Sequence, residues 1–235
     1  MTAYSIAAVL FDMDGTLIDS ERLWDVAMEE LAAAYGGRLS KRARQAMVGS
    51  SMATSMRILH AELDQPWRDP AEGIAFLERR VAELFRSDVQ WRPGAAELLR
   101  EVRAAGIPTA LVTSTARRLV EIALDTLGRE NFDVVVCGDE VSAPKPDPTP
   151  YVTAIERLGV PAQRCVAIED SPAGVRSAVA AGVTVVAVEG AAPVPPMEGI
   201  YRLATLAGVN VEFLASLLPQ TADAVAALDG GSAAS

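Results

Sequence analysis

Short, continuous apolar runs recur along this chain at intervals that suit the strands of a parallel sheet. Each run lacks polar alternation and is too short for a typical helix, which indicates a strand buried on both faces. The runs lie at 6–11, 107–113, 133–137, 165–168 and 183–188, with a shorter candidate near 201–205, and helical patterns lie at 94–105, 116–127 and 172–181. Because strands and helices alternate, the pattern predicts an α/β fold, a doubly wound parallel sheet.

One long stretch, residues 19–90, interrupts this alternation because it holds helical stripes and no predicted strand. The stripes run through Leu23, Ala27 and Leu31, through Met52, Met56, Leu59 and Leu63, and through Ile74, Leu77, Val81, Leu84 and Phe85. We therefore predict a helical domain, here termed the helical insertion, set into a core domain of residues 1–18 and 91–228. Residues 229–235 are small and polar, and we expect them to form a disordered tail.

Charge and composition exclude several classes of function. The 235 residues carry 21 basic and 31 acidic side chains, a net charge of −10. Such a surface repels phosphate backbones, so nucleic-acid binding is not expected as the main activity. No apolar run approaches the roughly 18 residues of a membrane span. The first run lacks a basic region before it and ends in acidic residues, unlike a signal peptide.

Cysteine usage adds an expectation about location. The chain has two cysteines, Cys137 and Cys165, and both are most simply core residues. Two cysteines in a chain of this length make a disulfide framework implausible. We therefore expect a soluble protein of a reducing compartment, the cytoplasm.

Polar residues that can carry chemistry follow four of the predicted strands. In a doubly wound sheet the ligand site lies outside the carboxyl ends of the strands, where such residues converge. The first strand is followed by Asp12-Met13-Asp14-Gly15-Thr16, the second by Thr113 and Ser114, the third at some distance by Lys145, and the fourth by Glu169 and Asp170.

These residue types suit a site for a phosphate and a divalent cation. The two aspartates after the first strand and Asp170 repel one another and raise each other's pKa unless a cation lies between them. Mg²⁺ prefers a few carboxylates together with water and phosphate. Lys145 can neutralise a bound phosphate, while the Thr113 hydroxyl and the Ser114 backbone N–H can hold its oxygens at a helix start.

Each cluster also has an ordinary structural explanation. An Asp at a strand end is often a turn or cap residue, and a Lys among prolines is often a solvated loop residue. The segments Glu169–Pro172 and Thr113–Ser114 can likewise be helix N-caps. Function is favoured because four such clusters occur together, each after a strand. The single histidine, His60, lies in the helical insertion, so a Ser-His-Asp triad is not expected.

The same motifs, in this order, resemble those of the haloacid dehalogenase superfamily, whose members transfer phosphoryl groups through an aspartyl phosphate. The motifs are DMDGT at 12–16, the Thr-Ser pair at 113–114, KPDP at 145–148 and EDSPAG at 169–174. The subgroup most similar in motifs contains β-phosphoglucomutase and many small-molecule phosphatases. The resemblance covers residues 1–190 and implies a Rossmann-like core with a helical cap.

The resemblance implies a role for each acidic motif residue. Asp12 would be the nucleophile, and Asp14 would protonate the leaving oxygen and then activate water. Carboxylates are chemically suited to both roles. Mg²⁺ would be held by Asp12, the backbone carbonyl of Asp14 and Asp170, with Glu169 ordering a bound water.

The other candidate residues concern the substrate, a small phosphomonoester. Thr113 and Lys145 complete the expected catalytic set, because metal and lysine together spread the charge of the transition state. Ser114, Lys145, Gly49 and Ser50 are expected to contact the substrate. We expect a monomer or weak dimer that binds neither nucleic acid nor membrane.

Three functions remain to be distinguished: a Mg²⁺-dependent phosphatase, a phosphosugar mutase of the same subgroup, and a signalling receiver that stores phosphate on aspartate. Receivers place their acidic pair on the first strand and lack a long helical insertion, so we discount this class. Mutases of the subgroup carry a histidine where this chain has Trp24, and an arginine shortly after a glycine like Gly49. Here Ser50, Ser51 and Met52 follow that glycine. Both differences favour a phosphatase.

Overall fold

The computed structural model describes residues 5–47, 52–197 and 199–219. Six parallel strands form one sheet in the order β3-β2-β1-β4-β5-β6, so the first strand lies inside the sheet. The strands are β1 (Ala8–Phe11), β2 (Thr109–Val112), β3 (Val134–Val136), β4 (Cys165–Glu169), β5 (Thr184–Val188) and β6 (Ile200–Leu203). All six predicted strands are therefore present, and the α/β fold class is confirmed.

Nine α-helices are found within the described residues. They are α1 (Glu21–Ala34), α2 (Lys41–Met47), α3 (Met52–Glu62), α4 (Pro70–Asp88), α5 (Ala95–Ala104), α6 (Arg117–Leu127), α7 (Thr149–Leu158), α8 (Pro172–Ala180) and α9 (Val211–Ser216). The three helices predicted in the alternating region correspond to α5, α6 and α8. The helices α2, α7 and α9 were not predicted.

Helices cover both faces of the sheet, and every residue of β1 is therefore buried. Side chains alternate along a strand, so Val9 and Phe11 face one layer while Ala8 and Leu10 face the other. The first layer is formed with α5, α6 and α9 and continues into the helical insertion. The second layer is formed with α7 and α8. Burying each large apolar side chain stabilises such a layer by roughly 1.5–3 kcal/mol, which explains why the strands are continuous apolar runs.

The helical insertion contains α1 to α4 and leaves and rejoins the sheet at neighbouring points. The Asp19 backbone N–H donates to the Gln90 carbonyl at 2.9 Å, and the Arg92 N–H donates to the Leu17 carbonyl at 2.8 Å. The two connecting segments therefore run side by side. The helix α4 packs on α1 and against α6, and an ion pair of 2.9 Å joins Glu78 to Arg118 across this contact.

Over the part of the chain that the structure describes, no helix is both long and apolar enough to cross a membrane.

Candidate active site

The first strand delivers Asp12 and Asp14 to the carboxyl edge of the sheet. The Asp12 backbone N–H donates to the Ile168 carbonyl of β4 at 3.0 Å, so the strand pairing itself places this residue. The chain then turns sharply at Gly15, whose φ is +77°. A Cβ at Gly15 would lie 2.2 Å from Asp170 Oδ2, so a glycine is needed both for the turn and for the approach of Asp170.

Lys145 links Asp12, which follows β1, to Glu169 at the end of β4. Its Nζ donates to Asp12 Oδ1 at 2.7 Å, to Glu169 Oε1 at 2.6 Å and to the Val112 carbonyl at 2.8 Å. The lysine side chain is only 3% exposed. An ammonium group has three N–H donors, and here all three find acceptors, so the lysine is held in one position.

Glu169 is completely buried and its two oxygens are already occupied. Oε1 accepts from Lys145 and from the Tyr151 hydroxyl at 2.9 Å. Oε2 accepts from the backbone N–H of Asp170 and from the N–H and hydroxyl of Ser171, at 3.1 to 3.2 Å. The predicted N-cap is also present, since Ser171 Oγ accepts from the Gly174 N–H at 3.0 Å. Glu169 thus fixes the lysine and the start of α8 together.

Asp14 points towards the loop after β2. Its Oδ2 accepts from the Thr113 hydroxyl at 3.2 Å and from the Thr115 hydroxyl at 2.7 Å. Its Oδ1 is buried, and none of residues 5–47, 52–197 and 199–219 forms a hydrogen bond with it. Burying a carboxylate oxygen without a hydrogen-bond partner costs free energy. This atom is therefore a candidate to contact a bound group.

Asp170 lies on the opposite side of Asp12 from this loop and is also buried. The Thr16 hydroxyl donates to its Oδ1 at 3.4 Å. Two glycines make room for its carboxylate, because a Cβ at Gly190 would lie 2.3 Å from Oδ2, almost as close as one at Gly15. The site therefore depends on a glycine beyond β5 that the sequence motifs do not include.

Two carboxyl groups of this site, those of Asp12 and Asp170, have raised pKa values. Burial, with Glu169 next in size, raises the pKa of Asp12 to about 7, although Lys145 opposes the shift. Burial, followed by Asp12 and Glu169, raises the pKa of Asp170 to about 9. Burial alone would lower the pKa of Lys145, but the two adjacent carboxylates outweigh it and hold that pKa above its usual value. The lysine therefore stays charged.

The donor set fits a divalent cation. Carboxylate oxygens of Asp12, Glu169 and Asp170 lie within 4.8 Å of one another. Lys145 is the only cation among the motif residues, so negative charge is in excess, and the raised pKa values of Asp12 and Asp170 express that excess. A hard cation with oxygen ligands would relieve it. Because both Glu169 oxygens accept hydrogen bonds, the carboxylate oxygens of these three residues that remain available to a cation belong to Asp12 and Asp170.

The structure brings most of the predicted site residues together, in contact or one residue away. Asp12, Lys145, Glu169 and Asp170 form one hydrogen-bonded group, Asp14 and Thr113 form a second, and Ser114, next to Thr113, is exposed. Gly49 and Ser50 lie outside the described residues, as does the predicted tail at 229–235. Trp24 and Met52 are partly buried and pack against the apolar cluster that the helical insertion shares with one face of the sheet.

Sequence reasoning missed three residues that complete the cluster: Thr115, Tyr151 and Gly190. Thr115 had a usable signal, because it lies two residues beyond Thr113 at the same strand end. Tyr151 belongs to α7, a helix that was not predicted. Gly190 follows β5, after which the sequence shows no polar motif.

Comparison with known proteins agrees with this geometry. The sequence profile of the haloacid dehalogenase-like hydrolases matches residues 9–188, which is most of the chain. Protein CbbY of Cereibacter sphaeroides is 37% identical over 188 residues, covering 75% of this chain and 81% of that protein. Phosphorylated carbohydrates phosphatase of Thermotoga maritima is 36% identical over 181 residues, covering 75% of this chain and 82% of that protein.

The fold is also found among solved structures. A variant of CbbY from Rhodobacter sphaeroides, in complex with xylulose-(1,5)bisphosphate, superposes with a TM-score of 0.75. It is 28% identical, and the match covers 89% of this chain and 99% of that one. One of these relatives is named a phosphatase. This agrees with the assignment of the chain as a phosphoric monoester hydrolase. The chain therefore belongs to the haloacid dehalogenase-like hydrolase family.

Proposed function

We propose that this protein is a Mg²⁺-dependent phosphatase that hydrolyses small phosphorylated carbohydrates through an aspartyl phosphate on Asp12. The observation that supports it most is the pairing of two aspartates at one strand end. Asp12 is held by Lys145 at 2.7 Å, while Asp14 presents an oxygen with no partner among the described residues. One carboxylate is fixed for attack, and the other is free to exchange a proton.

The metal would be held by Asp12, Asp170 and the backbone carbonyl of Asp14. When bound, Mg²⁺ supplies positive charge to the phosphoryl oxygens and balances the carboxylates. Glu169 would act indirectly, because its oxygens are already hydrogen-bonded to Lys145, Tyr151 and the start of α8.

In the first step, a carboxylate oxygen of Asp12 forms a bond to phosphorus while the bond from phosphorus to the leaving oxygen breaks. Asp14 gives its proton to that oxygen and releases an alcohol. Lys145 stays protonated and offsets charge at the nucleophile, and the Thr113 hydroxyl and Ser114 N–H hold phosphoryl oxygens.

In the second step, water attacks phosphorus and the bond to Asp12 breaks. Asp14 takes a proton from the water, so inorganic phosphate leaves and both aspartates return to their starting states. The same carboxyl group therefore serves as acid and then as base.

We further propose that residues 19–90 form a cap over a core of residues 1–18 and 91–228. The paired segments at Leu17–Asp19 and Gln90–Arg92 form a natural hinge. Closure would exclude bulk water and order the substrate.

The test is release of inorganic phosphate from a panel of sugar and polyol phosphates with Mg²⁺. We expect Asp12→Asn to lose nearly all turnover while the fold remains, whereas Asp125→Asn on the exposed side of α6 retains the rate. Retained turnover in Asp12→Asn, with deamidation excluded by mass spectrometry, would refute the covalent step. Full activity in excess chelator would refute the metal.

A second test separates hydrolysis from mutase activity. A mutase protects its aspartyl phosphate from water and holds a second phosphate with cap residues, whereas Trp24 packs in an apolar cluster here. We therefore expect β-glucose 1-phosphate to yield inorganic phosphate, with or without glucose 1,6-bisphosphate. Faster accumulation of glucose 6-phosphate would make the mutase the better assignment.

A further inference from the structure

Thr115 forms the shortest hydrogen bond to Asp14 in the described structure. Its hydroxyl donates to Oδ2 at 2.7 Å, compared with 3.2 Å from the Thr113 hydroxyl to the same oxygen. Both donors therefore meet one oxygen of Asp14, and the other oxygen is left without a partner among the described residues. This division makes the two oxygens of the carboxyl group chemically different.

The two threonines are not equivalent. Thr113 is 1% exposed and lies at the end of β2, where the proposed mechanism needs it to donate to the phosphoryl group. A hydroxyl has one proton to donate, so Thr113 cannot hold Asp14 and a phosphoryl oxygen at the same time. Thr115 is only partly buried and has no such second duty.

The backbone holds Thr115 in place from both sides. Its own N–H donates to Thr113 Oγ1 at 3.1 Å, and its carbonyl accepts from the Gly138 N–H at 3.0 Å. A Cβ at Gly138 would lie 2.1 Å from the Ser114 carbonyl oxygen. The loop after β2 is thus packed tightly against the loop after β3, and the Thr115 hydroxyl has a defined position.

We propose that Thr115 is a positioning residue for Asp14, keeping Oδ2 hydrogen-bonded so that Oδ1 carries the exchanged proton. Because Oδ2 accepts hydrogen bonds from hydroxyl groups, a proton on the carboxyl group resides on Oδ1. In the first step this proton moves to the leaving oxygen as its bond to phosphorus breaks, and in the second step Oδ1 receives a proton from water. The inference rests on the proposed function and adds a residue to it.

The experiment compares two substrates that differ in their need for a proton. An alkyl phosphate, glycerol 3-phosphate, must release an alkoxide unless it is protonated, whereas p-nitrophenyl phosphate releases a stable phenolate. We expect Thr115→Val to lower kcat/KM for the alkyl substrate about tenfold and that for the aryl substrate about twofold or less, since general acid catalysis contributes roughly 10²–10⁴-fold in full. Inhibition by inorganic phosphate should be unchanged.

Two further variants make the result decisive. Thr115→Ser keeps the hydroxyl and should recover most of the alkyl rate, and Thr126→Val makes the same replacement at the far, exposed end of α6 and should change neither rate. An equal loss on both substrates, no loss on either, or failure of serine to rescue would overturn the positioning role.

Failure of the proposed function would look different. In that case the wild-type enzyme would release no phosphate from either substrate, or Asp14→Asn would retain the alkyl rate. A wild-type enzyme that needs Asp14 but is insensitive to Thr115→Val would refute only the present inference.

Discussion

Replacing Lys145 by methionine tests how the buried charges of the site are balanced. Methionine has a similar length and is apolar, so the variant removes the ammonium group with little change in volume. Asp12 and Glu169 then lose their shared partner, at 2.7 and 2.6 Å. Both carboxyl groups are almost completely buried, so water cannot replace that partner without opening the site.

The magnitude follows from this burial. Breaking a buried ion pair by removing one partner costs about 3–5 kcal/mol. This cost applies to one carboxylate only, because Glu169 keeps its bonds to Tyr151 and Ser171 and Asp12 can take up a proton. A folded domain is stable by about 5–15 kcal/mol, so the expected loss is a large fraction of the total. For turnover we expect a loss of about 10²–10³-fold, as for other single groups that stabilise transition-state charge.

Without Lys145, the pKa of Asp12 should rise further above about 7. A carboxyl group whose folded pKa exceeds its unfolded value binds more protons when folded, so stability falls as pH rises between the two values. The deficit should therefore be smaller at pH 5 than at pH 8.

Urea unfolding at these two pH values, without Mg²⁺, measures the effect. Lys41→Met is a matched control, since Lys41 is the other lysine of the chain and is exposed, and we expect a change within about 0.5 kcal/mol. Adding Glu169→Gln to Lys145→Met should recover part of the stability but not the activity. A loss below about 1 kcal/mol at pH 8, or equal losses at both pH values, would refute the reasoning.

Three further predictions concern the metal and the helical insertion. In metal-free protein, the raised pKa values of Asp12 and Asp170, about 7 and about 9, should make the thermal midpoint fall as pH rises from 5 to 9, and Mg²⁺ should reduce that fall; a midpoint that rises steadily would contradict this. Gly190→Ala should displace Asp170 and raise the Mg²⁺ concentration for half-maximal activity several-fold; an unchanged requirement would argue against Asp170 as ligand. Crosslinking Glu78→Cys to Arg118→Cys with a short bis-maleimide should slow turnover of bulky substrates, and an unchanged rate would indicate a fixed helical layer; the two native cysteines are buried.

The approximate place of the site could be predicted because parallel strands end at one edge. The strand order puts β1 between β2 and β4, so Asp12, Thr113 and Asp170 follow three adjacent strands. Neither periodicity nor spacing could order the strands. The site could still be placed at one edge of the sheet, because each polar cluster follows an apolar run.

Other elements were missed for separate physical reasons. The helix α2 buries only Ala43, so it has no apolar stripe to detect. The helix α7 did have a signal, since Tyr151, Ala154 and Ile155 are buried at helical spacing and Gly159 follows with a left-handed φ of +66°. The prolines that precede it are typical of a loop and masked this signal. Gly190 could not have been found from the sequence, because the need for a glycine there comes from its close approach to Asp170 in the folded chain.

The number of N–H donors explains why the buried basic residue of the site is a lysine and not an arginine. The chain has two lysines among 21 basic residues, yet a lysine occupies the one buried position between the motif carboxylates. Its three N–H groups meet three acceptors: Asp12, Glu169 and the Val112 carbonyl. A guanidinium has five N–H donors in a planar fork, and in the same pocket two would lack acceptors unless the site changed, at a cost of about 1–3 kcal/mol for each unsatisfied group. In an arginine-rich chain, a lone lysine in a proline-rich loop is therefore better explained by this geometry than by a solvated surface.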